Sequence, residues 1–233
     1  FKACANSACG LIWLDPMPIE RDIHLAYRDY YPRTASSAKT GLLAKLLISV
    51  KRGYLANHLG YRANPLERLV GLTPWLYPGR IPELNFSVMW LRSIRGGNLM
   101  DVGAGSGWLV ENMNRLGWRA EGIDVDMLAV RTAREAGLTM HHGTLLETRF
   151  PANHYQAVTM SHSIEHVHDP IALIAEARRI LAPNGILAIA TPNSASLWHK
   201  RFRSNWFALD PPRHLHLFNI ASISEARSEE HTS

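Results

Sequence analysis

The stretch NLMDVGAGSGWLV, residues 98–110, constrains the chain more than any other, because an apolar run feeds a turn of small residues and an apolar-faced segment follows it. Leu99, Met100 and Val102 predict a buried strand. Gly103, Ala104, Gly105, Ser106 and Gly107 predict a tight turn, and Trp108, Leu109 and Val110 open a helix ending near Leu116 and Gly117. The glycines let backbone approach a ligand closely, and the helix N-terminus beyond them presents unpaired N–H groups to a polar molecule. The spacing Gly103-x-Gly105-x-Gly107 departs from the dinucleotide pattern G-x-G-x-x-G, since Trp108 stands where the third glycine would be. A diphosphate therefore fits poorly, which disfavours a nicotinamide-dependent oxidoreductase.

Residues 119–126, RAEGIDVD, predict a second strand ending in acid. Asp124 lies 19 residues past Gly105, the distance at which nucleoside-binding α/β folds place a carboxylate for the ribose hydroxyls. Asp126 is the expected cap of the helix that starts near Met127. Further strands are expected at 139–142, from Tyr155, and at 186–190. Asp169 and Pro170 open a helix over 171–181, and Pro183-Asn184-Gly185 closes it. Such alternation predicts a parallel sheet flanked by helices, with ligands outside the carboxyl ends of the strands.

At 233 residues, 46% hydrophobic and 19% charged, the chain has room for one large domain or one and a half. A net charge of +5 without a long basic run gives no support for a nucleic-acid partner. No stretch reaches the roughly 18 apolar residues that a membrane span needs, and no signal peptide is visible, so a soluble cytoplasmic protein is expected. Cys4 and Cys9 precede Gly10 and an apolar strand. They read either as half of a zinc ribbon or as two free thiols in a reducing compartment. Residues 19–31 predict an amphipathic helix ending before Pro32, and residues 35–41 a linker. Residues 42–59 predict a helix with Leu42, Leu43, Leu46, Leu47 and Val50 on its apolar side. It could serve as a lid over a substrate site, as a membrane-surface anchor, or as packing for the main domain. An irregular loop is expected over 65–82 and a helix over 84–94.

The D-V-G-x-G-x-G turn from Asp101 to Gly107 resembles the cofactor loop of class I S-adenosylmethionine-dependent methyltransferases. Glu165-His166-Val167, Asp169-Pro170, LAPNGILAIATPN and LDPPRHLHLFN are similar to segments of the ubiquinone-biosynthesis-like members of that family, and the cysteine segment resembles a short module ahead of some of them. The resemblance is weak over residues 1–35 and dense over 96–220. It implies a Rossmann-like class I fold and S-adenosyl-L-methionine as cofactor. Cofactor contacts are expected from Asp101, Gly103, Ala104, Gly105, Gly107, Asp124, Val125, Thr144, Leu145 and Ser161. Thr144 stands where many relatives carry an acid for adenine, which leaves backbone groups around Leu145 for that task.

Methyl transfer needs an acceptor atom held in line at about 3 Å and a base where that atom carries a proton. His162, Glu165, His166 and His214 are the pocket candidates, with His168 a further base; His141 and His142 read as ordinary strand residues. Three readings stay open: a metal-free pocket with a histidine base, a divalent cation, or a structural Glu-His pair. Some relatives bind metal through Glu-x-x-Glu-His plus a distant histidine, whereas this chain has His162 at the first position. The expected organisation is a partial cysteine module and first helix over 1–34, a mainly helical linker or lid over 35–95, the cofactor-binding domain over 96–226, and a non-native tail over 227–233. This reading has the chain truncated at both ends, without the last strands of the fold. The predicted function is methyl transfer to a small-molecule acceptor. The rival is a catalytically inactive nucleoside-binding α/β module acting as a regulatory partner.

Overall fold

A computed structural model of the chain describes residues 1–6, 8–27 and 41–228. The expectations for residues 28–40 and for the tail beyond 228 lie outside the described residues. At the N-terminus β1 (Lys2–Ala3) and β2 (Ile12–Trp13) form an antiparallel hairpin whose turn holds Cys4 and Cys9, both free thiols. The chain between the strands folds back through Cys4 N–H to the Leu11 carbonyl at 2.8 Å and Cys9 N–H to the Asn6 carbonyl at 3.0 Å. A 3-10 helix spans Glu20–Tyr27, tighter than the expected α-helix.

Helix α1 (Leu42–Leu59) has the predicted bounds and stops at Gly60, whose left-handed conformation turns the chain. The expected loop over 65–82 is instead structured. Asn64 and Glu67 form a reciprocal capping box that starts α2 (Pro65–Val70) with Pro65 in its first turn, and short 3-10 turns follow at Thr73–Leu76 and Pro78–Arg80. The helix expected over 84–94 comes earlier and is shorter. Pro82 sets the first turn of α3 (Ile81–Phe86), and the left-handed backbones of Met89 and Trp90 prevent its continuation.

The rest is the predicted alternation: β3 (Asn98–Val102), α4 (Trp108–Arg115), β4 (Arg119–Asp124), α5 (Met127–Glu135), β5 (Met140–His142), β6 (Tyr155–Ser161), α6 (Pro170–Ile180) and β7 (Leu181–Ala190). The strands form one parallel sheet in the order β5-β4-β3-β6-β7, the Rossmann-like arrangement. Asp126 caps α5 by accepting from Leu128 N–H and Ala129 N–H, and Asp169 caps α6 through Ala172 N–H. Helix α6 stops at Ile180, and Pro183-Asn184-Gly185 loops out inside β7, where the register against β6 shifts.

Strand alternation sends neighbours to opposite faces, so Leu99 and Ala157 join α4 and α5 in one apolar layer, while Met100, Val158 and Met160 join α6 in the other. Leu99 and Met100 have no exposed surface; truncating either to Ala would cost about 2–5 kcal/mol. After β7 come α7 (Leu197–Phe202), β8 (His216–Leu217) and α8 (Ile220–Ser228). β8 pairs antiparallel with β2, Leu217 against Ile12 and His216 against Trp13, so the cysteine hairpin is sewn to the RHLHLF segment. Among the described residues no helix is long and apolar enough to cross a membrane.

Candidate active site

The order of the parallel strands places the chain reversal between β3 and β6, and the turn after β3 opens there. Gly103, Gly105 and Gly107 all have left-handed backbones, which the reversal requires. A side chain at Gly105 would point into open space, while one at Gly103 would press on Ser163. Asp124, at the end of β4, holds the turn: its Oδ2 accepts from Gly105 N–H at 2.7 Å and its Oδ1 from Asp126 N–H at 2.8 Å. Each oxygen keeps a free lone pair.

A cavity of about 120 Å³ lies against this turn, floored by Asp101, Gly103, Ala104 and Ser161 and covered by Phe86 and Trp108. Asp101 is only 3% exposed, and its Oδ1 accepts from the Thr159 hydroxyl at 2.7 Å. Burial pushes its pKa up to about 7; the Thr159 hydrogen bond opposes that rise and the nearby Asp124 charge adds to it. A buried acid in a ligand cavity with an acidic neighbour is best satisfied by a cationic group.

Among the remaining expected cofactor residues, Gly107 opens α4, Val125 is exposed and its carbonyl accepts from His142, and Leu145 is buried in the core. Thr144 closes a local turn with Glu147, which takes both its N–H and its hydroxyl proton.

The histidine cluster stands beside the cavity. His162 follows β6 with a left-handed backbone, a conformation that costs a β-substituted residue about 1–3 kcal/mol and collects at functional positions. Its ring edge meets Phe86, and its Nδ1 lies 3.3 Å from Glu165 Oε1. The hydrogen bond to Glu165 raises the His162 pKa against partial burial. Glu165 has no exposed surface. Burial alone would raise its pKa, but hydrogen bonds led by that from His162, with the charge of His166, hold it below the usual value.

His166 Nδ1 faces the Arg213 carbonyl at 3.0 Å and the Tyr27 hydroxyl at 2.9 Å, and His214 Nδ1 faces the Ala208 carbonyl at 2.7 Å. A carbonyl only accepts, so both rings carry a proton on Nδ1, and Nε2 offers a lone pair in the neutral ring; His214 Nε2 lies 3.8 Å from Asp210 Oδ2. Burial lowers the His166 pKa, and the charge of Glu165 opposes that change. Glu165, His166 and His214 each bring a ligand atom within 4.8 Å of the others, while Glu165 Oε2 is buried with no hydrogen-bond partner. His162 is not in this triad. His168 instead turns away to the Pro18 carbonyl. The sequence reading missed Phe86 and Tyr27, for which it held no pattern, and it noted Trp108 for its spacing rather than as a wall.

Residues 80–229 match a family model described as a methyltransferase domain. A ubiquinone biosynthesis O-methyltransferase of Haemophilus ducreyi is 33% identical over 109 residues, 42% of this chain and 46% of the relative. One of Pasteurella multocida is 28% identical over 127 residues, 48% and 52% of the two chains. The chain spans about half the length of the curated relatives it matches. Among solved structures, an S-adenosylmethionine-dependent methyltransferase of Thermotoga maritima, a possible histamine N-methyltransferase, superposes with a TM-score of 0.54 at 18% identity, covering 69% of this chain and 75% of the other. One of Mesorhizobium loti gives 0.52 at 18% identity, covering 63% and 79%. These structural likenesses establish the same fold.

Proposed function

Given that the chain belongs to the methyltransferase-domain family, we propose that it moves a methyl group from S-adenosyl-L-methionine to a small-molecule acceptor in front of β3 and β6. The observation that carries this is the pair of acids at the glycine turn. Buried Asp101 suits a cationic amine, and Asp124 has lone pairs to spare for the ribose hydroxyls. The open side of Gly105 leaves room for a ligand against the backbone. When bound, the cofactor supplies a methyl group already activated by the positive charge on its sulfur. Phe86 and Trp108 exclude water from the cavity floor.

His162 sits where a base is needed. Its Nδ1 is held by Glu165, so an acceptor hydroxyl or amine proton goes to Nε2, and the Glu165 carboxylate stabilises the imidazolium. O-methylation, the reaction in the names of the Haemophilus and Pasteurella relatives, suits that pair. The catalytic unit is residues 96–226, with 42–95 forming the acceptor-side wall. A cytoplasmic setting suits a chain with both cysteines as free thiols.

A second reading has one specific support. Two histidines fixed through Nδ1 and an unpartnered Glu165 Oε2 form a donor set suited to a divalent cation. Cobalt(II) titration followed by visible absorption tests it: saturable d–d bands lost in His214→Ala support a cation, and their absence removes it.

Calorimetric titration with S-adenosylmethionine, S-adenosylhomocysteine and NAD tests the main reading. The first two are expected to bind one per chain and NAD not at all; binding of NAD alone would overturn it. Release of S-adenosylhomocysteine over an acceptor panel separates an enzyme from an inactive cofactor-binding module.

A further inference from the structure

Phe86 and Trp108 wall a second cavity as well. It has a volume of about 310 Å³, and Lys51, Glu83, Leu84 and Ser87 complete its lining. Helix α1 brings Lys51 to this place because α2 crosses it closely at Gly53 and Gly71. A methyl group added at Gly53 would overlap the Glu67 carbonyl, and one at Gly71 the Gly53 backbone. Asn112, on α4, is fixed by donating to the Ser87 carbonyl at 2.7 Å. Among the described residues, the one hydrogen bond of the Lys51 ammonium is to Asn112 Oδ1 at 3.5 Å, long for a charged group with three donors.

The nearest acid does not answer that charge. Glu83 is paired with Arg80 at 3.0 Å, and no ion pair joins it to Lys51 among the described residues. Burial lowers the Lys51 pKa, with the Glu83 charge opposing the change, as expected of an ammonium partly withdrawn from water. Residues 41–83 hold six Lys or Arg against two Glu, so the segment that supplies Lys51 is itself basic.

From this juxtaposition we propose that the second cavity is the acceptor subsite and that Lys51 binds a carboxylate on an otherwise apolar acceptor. The inference rests on the methyltransferase reading, which gives an acceptor a reason to occupy the space beside the cofactor turn. The shared wall of Phe86 and Trp108 puts the two ligands next to each other, and the His162 ring packs on Phe86. Phe86, Trp108 and Leu84 offer apolar surfaces suited to a flat ring, and the ammonium supplies the polar contact that orients it. The carboxylate of the cofactor is the other possible source of the same chemistry, and the experiment separates the two.

The whole chain is titrated with S-adenosylhomocysteine, and separately with benzoate, phenylacetate and indole-3-acetate against their neutral amides, with and without S-adenosylhomocysteine. Parent, Lys51→Met and Lys51→Arg are compared. The parent is expected to prefer at least one acid over its amide by about tenfold or more. The preference should vanish in Lys51→Met and return in Lys51→Arg, with S-adenosylhomocysteine affinity within about twofold throughout. Equal binding of acids and amides by the parent overturns the proposal. So does a Lys51→Met variant that loses S-adenosylhomocysteine affinity but keeps the acid preference, since the ammonium would then serve the cofactor. A parent that fails to bind S-adenosylhomocysteine overturns the methyltransferase reading itself, an outcome kept distinct by the acid titrations run without cofactor.

Discussion

The ends of the sheet strands and the helical wall facing them are built by different physics. β3 is hydrogen-bonded on both edges and buried on both faces, so the turn after it is positioned by the whole sheet. The wall of α1 to α3 is anchored by side chains instead: Tyr54, Leu55, Leu84 and Phe86 pack into the apolar layer of Leu99 and α4, and the Gly53–Gly71 crossing, the Asn64–Glu67 cap and Tyr61, which donates to the Leu91 carbonyl and lies 3.4 Å from Trp118 Nε1, fix its shape. The first turns of α1 leave Leu42, Leu43, Leu46 and Leu47 exposed, so packing for the main domain is not what that end of the helix provides. The contrast implies that cofactor affinity resides in the sheet and acceptor choice in the wall. Changes on one side should leave the other largely intact.

The strongest challenge to that separation is Gly53→Val, which forces α2 away from α1. It should cost about 3 kcal/mol or more in thermal unfolding, because rigid backbone atoms occupy the space the side chain needs. S-adenosylhomocysteine affinity should nonetheless stay within about threefold of the parent. If it collapses, the wall and the sheet are one unit.

Asp101 sharpens the other side of the comparison. Its folded pKa of about 7 lies above the ordinary 3.8, so the folded chain holds an extra proton between those values. Stability from this group is therefore greatest at low pH and falls as pH rises through about 4 to 7, by on the order of 4 kcal/mol. Asp101→Asn should flatten that slope in melts taken from pH 5 to 7.5. Saturating S-adenosylhomocysteine should flatten it in the parent too, because a cationic amine stabilises the ionised form. A slope unchanged by both would remove Asp101 from the cofactor site.

The smallest effect is expected at Asp126. Asp126→Ala removes a helix cap and should cost about 1 kcal/mol in stability without moving the S-adenosylhomocysteine dissociation constant. A large loss of affinity there would mean that the two acids after β4 had been assigned the wrong way round.

How far the sequence could be read follows the same division. A strand buried on both faces leaves an unbroken apolar run, and caps such as Asp126 and Asp169 leave a local pattern, so the sheet and the bounds of α1 were accessible. Leu145 turns its side chain into the core, which is compatible with the expectation that backbone groups there face the ligand. The wall was misread where prolines were taken as breakers. Pro65 and Pro82 occupy first turns, where a missing N–H costs nothing, and the Asn64–Glu67 box was the available sign. The β2–β8 pairing and the meeting of Lys51 with Trp108 join residues far apart in the chain through two-residue strands and side chains. No periodicity records such contacts.

The assignment of Asp124 as the ribose-binding carboxylate carries the account, and the dissociation constant of S-adenosylhomocysteine for Asp124→Ala, set against the parent, tests it most directly. A loss of at least about tenfold is expected, from hydrogen bonds to the carboxylate and from the freed Gly105 turn. An Asp124→Ala chain that binds as tightly as the parent would contradict it.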